Sequence, residues 1–529
     1  MRRLCSAMTI CALLLAGCGD AKYAKTTTCC KTTDGFCGGT AALGESPADF
    51  GPGFNTESYD RIYENAFLRA TQNPLSTFSI DVDTASYSNV RRFLQQGQLP
   101  PKDAVRIEEL VNYFPYDYPP PTDGRPFAVH VEISACPWNA EHRLARIALR
   151  GKDIPQQERP ALNLVFLLDV SGSMGEPNKL PLVVTSTRML VEKLRPDDRV
   201  AIVVYAGAAG VVLPSTPCSN RQTILMALEQ LHAGGSTAGG AGIQLAYDIA
   251  AENYAPDRVN RLVLCTDGDF NVGVSDRGSL VRLVEEKAHG GIYLTVLGFG
   301  MGNYKDSTLE SLADKGNGNY GYIDTLREAR KLLVDQLQGT LVPIAQDVKI
   351  QVEFNPARVG AYRLIGYENR MLRAEDFNDD RKDAGEIGAG HTVTAFYEIA
   401  PVGKEGNLPA VDALKYQTPA KPADRAASGE SFTVKLRYKR PGAETSELIA
   451  LPIADPETPA ADASPEFRFA AAVACWGMLL RDSQHRGAAT DDLVLALAQA
   501  ARGPDPNGHR GEFSELVKRA KGLRGGAGR

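Results

Sequence analysis

The sequence predicts an α/β fold: a doubly wound, mostly parallel sheet inserted into a β-rich domain that both flanks form, followed by C-terminal helices. Between residues 161 and 342, near-continuous apolar runs such as LNLVFLLDV and RLVLCTDG alternate with helical patterns. Such runs are typical of parallel strands that helices cover on both faces. Outside this region, segments such as FAVHVEISA and SFTVKLRYKR alternate apolar and polar residues. This alternation is typical of antiparallel strands with one buried face.

The segments of the 529-residue chain can be assigned in order from these patterns. Residues after the N-terminal segment are polar and rich in Gly and Thr, which favours a tether, whereas the C-terminal FRFAAAVACWGMLLRD has a helical pattern. The predicted division is a signal peptide (1–18), a flexible tether (19–74), an N-terminal α+β segment (75–160), the α/β domain (161–342), a β-rich domain (343–463) and a helical C-terminal region (464–529).

The N-terminal residues have the pattern of a secretory signal. Arg2 and Arg3 precede an apolar stretch that is too short to span a bilayer. The stretch ends in LAGC at residues 15–18, which resembles the bacterial lipobox. That resemblance implies cleavage before Cys18, acylation of its thiol, and a lipid-anchored protein of the bacterial cell envelope, on the periplasmic side or the cell surface. The alternative is a plain secretory signal with a chance cysteine.

The charge balance argues against one class of partner. The chain has 58 basic and 64 acidic residues, a formal net charge of −6, and no long run of Lys or Arg. A nucleic-acid-binding surface requires clustered positive charge. We therefore expect no nucleic-acid partner.

Polar side chains follow two of the predicted parallel strands at the point where each strand ends. Asp169, Ser171 and Ser173 follow LNLVFLL, and Asp267 follows RLVLCT. The glycine-rich GGSTAGGAG, which contains Thr237, lies between them in the sequence. Because ligands of open α/β sheets bind beyond the carboxyl ends of the strands, these groups are expected to share one edge. Carboxylates and hydroxyls supply the oxygen ligands that Mg²⁺ prefers.

This pattern resembles the von Willebrand factor type A (VWA) domain, whose metal-ion-dependent adhesion site has D-x-S-x-S, then a Thr, then an Asp. The matching positions here are Asp169, Ser171, Ser173, Thr237 and Asp267. The resemblance implies that the hydroxyls contact a divalent cation (Mg²⁺, or Mn²⁺ or Ca²⁺) and that the aspartates act partly through waters. It also implies an open coordination position for an acidic side chain of a protein partner, and therefore a binding module, not an enzyme. Ser236 adjoins Thr237, and either hydroxyl could face the cation.

The flanking segments resemble a bacterial family of VWA proteins. PLSTFSIDVDTASYSNVRRFL is similar to the N-terminal segment of that family, and GAYRLIGYENR is similar to its C-terminal part. Together with the α/β domain, these segments cover nearly all of the chain after the signal. The resemblance therefore implies the architecture of the whole chain more than its biological role.

Other interpretations stay open beside the metal-dependent binding module. A structural envelope scaffold would use the metal only for stability. A serine hydrolase would use Ser173, Asp267 and His289, although the flanking residues do not match the G-x-S-x-G motif. Residues 80–88 could form a second cation site, or Thr84 or Ser86 could cap the following helix. Residues 376–385 do not fit an EF-hand but could form a looser calcium loop.

Overall fold

The computed structural model describes residues 57–235, 239–268, 277–301, 306–406, 408, 415–416 and 423–526. The strands are β1 (Leu68–Arg69), β2 (Leu75–Ser79), β3 (Phe127–Cys136), β4 (Asn139–Gly151), β5 (Ala161–Asp169), β6 (Arg199–Tyr205), β7 (Ala209–Pro217), β8 (Arg258–Thr266), β9 (Ile292–Phe299), β10 (Tyr320–Ile323), β11 (Pro343–Phe354), β12 (Val359–Ile365), β13 (Met371–Leu372), β14 (Gly385–Gly388), β15 (Thr392–Pro401), β16 (Phe432–Lys439) and β17 (Glu447–Ile453).

The helices lie mainly in the inserted domain and near the C-terminus. They are α1 (Ala85–Gln95), α2 (Ile107–Asn112), α3 (Leu180–Val191), α4 (Arg221–Glu229), α5 (Gly239–Glu252), α6 (Arg277–His289), α7 (Asp306–Lys315), α8 (Leu326–Arg330), α9 (Leu337–Leu341), α10 (Pro465–Arg481), α11 (Asp491–Ala500) and α12 (His509–Gly526).

The inserted domain is built on a doubly wound sheet, as predicted. Among the described residues, its six strands have the order β10-β9-β8-β5-β6-β7. All neighbouring strands are parallel except β6 and β7. Apolar residues of β5 and β8 point alternately into two buried clusters, one on each face of the sheet. The apolar runs of the sequence therefore reflect burial on both faces.

The flanking segments form two antiparallel sheets that pack face to face. In the described residues one sheet has the order β1-β12-β15-β4-β3, and the other has the order β13-β2-β11-β16-β17, with β14 also paired to β11. Phe78 on β2, Ile147 on β4 and Val434 on β16 share one buried core. Each sheet combines strands from before and after the inserted domain. This confirms a β-rich domain that both flanks form.

The C-terminal helices cover part of this β-rich domain. Trp476 of α10 and Phe513 of α12 pack edge to face, with ring centroids 5.2 Å apart. They share a buried cluster with residues of α1 and α2 and with Leu144 of β4. Throughout the described part of the chain, every helix is too short or too polar to serve as a bilayer span.

The structure corrects two predictions about local elements. The tether was expected to run to residue 74, but Leu68–Arg69 is a strand paired with β12, and Glu57 forms an ion pair with Arg92 at 2.8 Å. Residues 57–74 therefore pack against the folded chain, while the rest of the predicted tether lies outside the described residues. The sequence LREARKLLVDQLQGTL at residues 326–341 predicts one helix that closes the inserted domain, but a π-helical segment, Lys331–Asp335, interrupts it.

Buried ion pairs connect the inserted domain to its flanks. Arg91 on α1 contacts Asp324 at 2.5 Å and Glu328 at 2.8 Å, and the Arg91 side chain is only 1% exposed. Arg106 makes a similar link to Glu310 on α7 at 2.7 Å. Because removing one partner of a buried pair leaves an uncompensated charge, these contacts fix the position of the inserted domain.

Candidate metal centre

The first three predicted site residues lie at the carboxyl end of β5. Asp169 is the last residue of this strand and is fully buried. Its Oδ1 accepts a hydrogen bond from the Ser171 backbone N–H at 2.9 Å, and its Oδ2 accepts one from the Tyr205 hydroxyl at 3.0 Å. The hydroxyl oxygens of Ser171 and Ser173 lie 3.1 Å apart. Ser171 is buried and Ser173 is exposed, so the pair connects the buried carboxylate to the surface.

Asp267 joins this group from the neighbouring strand. It follows the last residue of β8, which pairs with β5 in parallel, and it is fully buried. Burial, together with the charge of Asp267, raises the pKa of the Asp169 carboxyl, while hydrogen bonds from Ser171 lower it. The two carboxylates are therefore close enough to repel each other. Thr237, and Ser236 beside it, lie outside the described residues.

A lysine that the sequence analysis did not single out is part of the site. Lys179, immediately before α3, donates from Nζ to Asp267 Oδ2 at 3.0 Å, and the lysine side chain is 5% exposed. Its aliphatic stem packs against Gly300, where φ is +77° and a Cβ atom would collide with the lysine carbons. Gly300 follows β9 directly. The carboxyl end of β9 therefore lines the predicted site.

The described residues fit a hard divalent cation. Asp169 and Asp267 supply two carboxylates, and Ser171 and Ser173 supply two hydroxyls, so all of these groups coordinate through oxygen. Two mutually repelling buried carboxylates require a counter-charge, which a cation provides. Lys179 provides one positive charge at Asp267. The lysine is thus positioned to neutralise Asp267 when no metal is bound.

The position of His289 does not support the serine hydrolase alternative. His289 is the last residue of α6, is exposed, and its Nδ1 lies 2.6 Å from the backbone oxygen of Glu285 in the same helix. Helix α6 leads into the start of β9, whereas Ser173 follows the end of β5. The start and the end of parallel strands lie on opposite sides of the sheet, so His289 and Ser173 are on opposite sides. The structure therefore does not bring Ser173 and His289 together.

Residues 80–88 contain two carboxylates that already have a cationic partner. Arg370 lies 3.4 Å from Asp81 and 3.3 Å from Asp83. The expected capping of α1 is wrong: Thr84 stands at the N-cap without a side-chain hydrogen bond, and Glu109 accepts from the Ser86 backbone N–H at 2.7 Å. A carboxylate from another helix thus takes the role expected of a local hydroxyl.

The carboxylates of Asp376 and Asp379, in the segment 376–385, do not form a calcium-binding loop. Asp376 pairs with Arg373 at 2.8 Å, and Asp379 pairs with Arg381 at 3.0 Å. A separate acidic group forms instead from Asp347, Asp383 and Glu386, whose carboxylate oxygens lie within 4.8 Å of one another. Lysines pair with two of its members, at 2.7 Å for Lys439–Asp347 and 3.4 Å for Lys315–Asp383. The lipidation residue Cys18 lies outside the described residues.

Comparisons with known proteins agree with this architecture. The chain matches the family models for the von Willebrand factor type A domain over residues 163–336, for von Willebrand factor over 53–146, and for the C-terminal part of the uncharacterized protein YfbK over 339–523. The uncharacterized protein YfbK of Escherichia coli (strain K12) is 44% identical over 476 residues, which cover 88% of this chain and 82% of that protein.

More distant similarities are weaker. Inter-alpha-trypsin inhibitor heavy chain H1 of Sus scrofa is 27% identical over 199 residues, covering 36% of this chain and 22% of that protein. The solved structure described as von Willebrand factor type A from Catenulispora acidiphila aligns with a TM-score of 0.42 at 16% identity, covering 75% of this chain and 91% of that one. On the identity and coverage of the Escherichia coli relative, the chain belongs to the family of the uncharacterized protein YfbK, which joins a von Willebrand factor type A domain to the YfbK C-terminal domain.

Proposed function

We propose that this protein binds another protein through a divalent cation, Mg²⁺ in the first place, held by Asp169, Ser171, Ser173, Thr237 and Asp267. The observation that supports the proposal is the convergence of two buried carboxylates and two hydroxyls at the carboxyl ends of the adjacent strands β5 and β8. This set supplies the oxygen ligands that Mg²⁺ requires. The VWA domain supports a role in protein interaction, and the cation is the proposed point of contact.

The ligand set favours an acidic partner. Hydroxyl ligands contact a cation without cancelling its charge, so a bound divalent ion keeps an attraction for a further carboxylate. Ser173 is exposed and would present that ion to solvent. Met301 follows β9 on the same side of the sheet, where the parallel strands end, and is 37% exposed, so it is the proposed apolar contact for a partner. We therefore propose a partner that inserts one Asp or Glu from a partly apolar surface.

The proposed location is the bacterial cell envelope, with a lipid anchor on Cys18. The support is the LAGC sequence at residues 15–18, preceded by a short apolar stretch. Metabolic labelling with a radioactive or alkyne-bearing fatty acid tests this directly. Label in the wild type and none in Cys18→Ser is expected, and equal label in both would reject the anchor.

Calorimetric titration with Mg²⁺ tests the metal site. Ser171→Ala removes one ligand and little volume, and it should abolish the binding heat or weaken binding at least tenfold while the protein stays folded. Ser219→Ala is the matched control, because Ser219 is exposed and follows β7 at the opposite edge of the sheet. Heats that are the same in all three proteins would reject the site.

A cross-linked pull-down from envelope extracts, with Mg²⁺ and with EDTA, separates adhesion from a structural role. Adhesion requires a partner that is captured with Mg²⁺ and lost both with EDTA and in Ser171→Ala. The scaffold interpretation requires capture that is unchanged by EDTA, together with a lower melting temperature in EDTA. A serine-reactive fluorophosphonate that labels Ser173 would instead support the hydrolase.

A further inference from the structure

A cavity of about 620 Å³ lies where the inserted domain meets the other parts of the chain. It is lined by residues 334–339 of the inserted domain, residues 389–392, which lead from β14 into β15, the segment after β4, and residues near the start of α12. We call it the junction cavity. Small-molecule sites typically occupy about 300–1,000 Å³ and often lie between domains. The junction cavity has the size and location of such a site.

Lys331 places a buried ammonium group at this cavity. Its side chain is 3% exposed, and its Nζ makes no hydrogen bond to any described residue. The nearest carboxylate oxygen, on Glu328, is 3.5 Å away, and the Tyr113 ring centroid is 3.2 Å away. An ammonium group has three protons to donate, and buried donors normally have partners. A ligand oxygen in the cavity would supply the missing acceptor.

Two histidines on other walls of the cavity also face this positive charge. Burial lowers the pKa of His391 to about 4, with further contributions from Lys331 and Arg150. Burial and then Lys331 lower the pKa of His509 to about 4 as well. The His391 Nδ1 atom is buried and has no hydrogen-bond partner among the described residues. The inner wall is therefore rich in donors, and the one carboxylate near them, Glu328 at 3.5 Å from Lys331, is shared with Arg91.

The carboxylates that line the cavity belong to its outer part. Asp153 has a side chain that is 63% exposed and already pairs with Arg150 at 2.8 Å. Asp335 is 37% exposed and lies 3.9 Å from Arg330. Both carboxylates are therefore solvated and already lie near arginines, which leaves the buried end of the cavity suited to an anion.

The local backbone holds these groups in place. Lys331 begins the π-helical segment that interrupts the last helix of the inserted domain. π-Helical turns are rare and frequently occur at functional sites. Gly339 lies against the His391 ring, and a Cβ atom at residue 339 would collide with it. A glycine at this position is therefore required for the imidazole to occupy the cavity wall.

We propose that the junction cavity binds a small molecule through a carboxylate or phosphate group, with Lys331 and His391 as the donors to its oxygens. Both kinds of group present several acceptor oxygens and a negative charge, which is the chemistry that the inner wall lacks. The volume exceeds that of a bare anion, so the ligand carries an organic part toward the outer wall. This site is separate from the metal centre and does not depend on its function.

Calorimetric titration of the full chain with inorganic phosphate and with malonate, at matched ionic strength in chloride, tests the proposal. Saturable binding of one probe is expected, and the probe that binds more tightly identifies the phosphate or the carboxylate class. Lys331→Met should weaken binding at least tenfold, because it removes the buried charge and keeps the length of the side chain. Lys193→Met, an exposed lysine at the outer wall, is the matched control and should change the affinity less than about twofold.

Side-chain NMR of ¹⁵N-histidine protein supplies a second readout that does not depend on a folded Lys331→Met variant. The His391 signals, assigned with His391→Gln, should shift with the binding probe and stay unchanged with chloride. Gly339→Ala should remove that shift, because its methyl group displaces the ring. The proposal is overturned if neither probe gives saturable binding or a His391 shift up to about 10 mM, or if Lys331→Met binds as tightly as the wild type.

Discussion

Replacing Lys179 by Met is expected to tighten Mg²⁺ binding while lowering the stability of the metal-free protein. The lysine Nζ lies 3.0 Å from Asp267 Oδ2, and both side chains are almost fully buried. In the metal-free protein this pair compensates the charge of Asp267. A cation at the same carboxylate must work against the ammonium charge. Removing the ammonium therefore raises the free energy of the metal-free state more than that of the metal-bound state.

The size of the effect follows from the geometry of the pair. At 3.0 Å and an effective dielectric constant of about 20, the Coulomb attraction is about 5.5 kcal/mol before desolvation is subtracted. Loss of one partner of a buried pair typically costs about 3–5 kcal/mol. Because the ammonium stays near the site when the metal binds, only part of this cost is specific to the metal-free state. We expect about 1–3 kcal/mol in metal affinity, which is about 5- to 150-fold in Kd.

Two measurements on the same variant check this reasoning. Calorimetry gives the Kd for Mg²⁺, and urea unfolding in EDTA gives the stability of the metal-free protein. Lys193→Met is the control, because Lys193 is exposed and lies just beyond the other end of helix α3. Lower stability in EDTA together with unchanged or weaker Mg²⁺ binding would refute the idea that the lysine and the cation compete for Asp267.

Two further predictions concern the buried charges outside the metal centre. Arg91→Met should lower the free energy of unfolding by about 3–5 kcal/mol, measured by urea denaturation, because it leaves Glu328 without its 2.8 Å partner; the exposed Arg381→Met should cost less than about 0.5 kcal/mol. Burial and the charges of Lys331 and Arg150 lower the pKa of His391 from 6.5 to about 4. As the pH falls from 7.5 to 5, the His391 side chain therefore binds a proton in the unfolded chain but stays mostly neutral in the folded chain. Stability should therefore drop by about 2 kcal/mol more in the wild type than in His391→Gln between pH 7.5 and pH 5, and equal drops would contradict this.

The inserted domain could be predicted from sequence because its signal is local. The apolar runs at β5, β6, β8 and β9 are long and continuous, and only strands covered on both faces need them. The edge strand β7 and the short β10 were not predicted. β7 is partly exposed, and β10 has only four residues, so neither carries a continuous apolar run. Edge strands in general are harder to recognise for this reason.

The positions of the described residues of the predicted metal site could be predicted from the sequence for a related reason. Asp169 ends β5 and Asp267 directly follows β8, and parallel neighbouring strands end on the same side of the sheet. Lys179 could not be predicted in the same way. It precedes a helix and meets Asp267 across 88 residues of sequence. Its position depends on the space over Gly300, which only the folded backbone defines.

Glu328 shows why the charge network between the domains also lies beyond sequence analysis. It is fully buried, accepts from Arg91 on α1 and from the Tyr113 hydroxyl, and has Lys331 3.5 Å away on its other side. The surrounding positive charges outweigh the cost of burial and hold its pKa at about 2. One carboxylate thus balances the arginine that joins the domains and the lysine that faces the junction cavity. An anion in that cavity would give Lys331 a hydrogen-bond acceptor and a second negative charge beside Glu328. Lys331 would then balance less of the Glu328 charge, so ligand binding there and the attachment of the inserted domain through Arg91 depend on the same buried carboxylate.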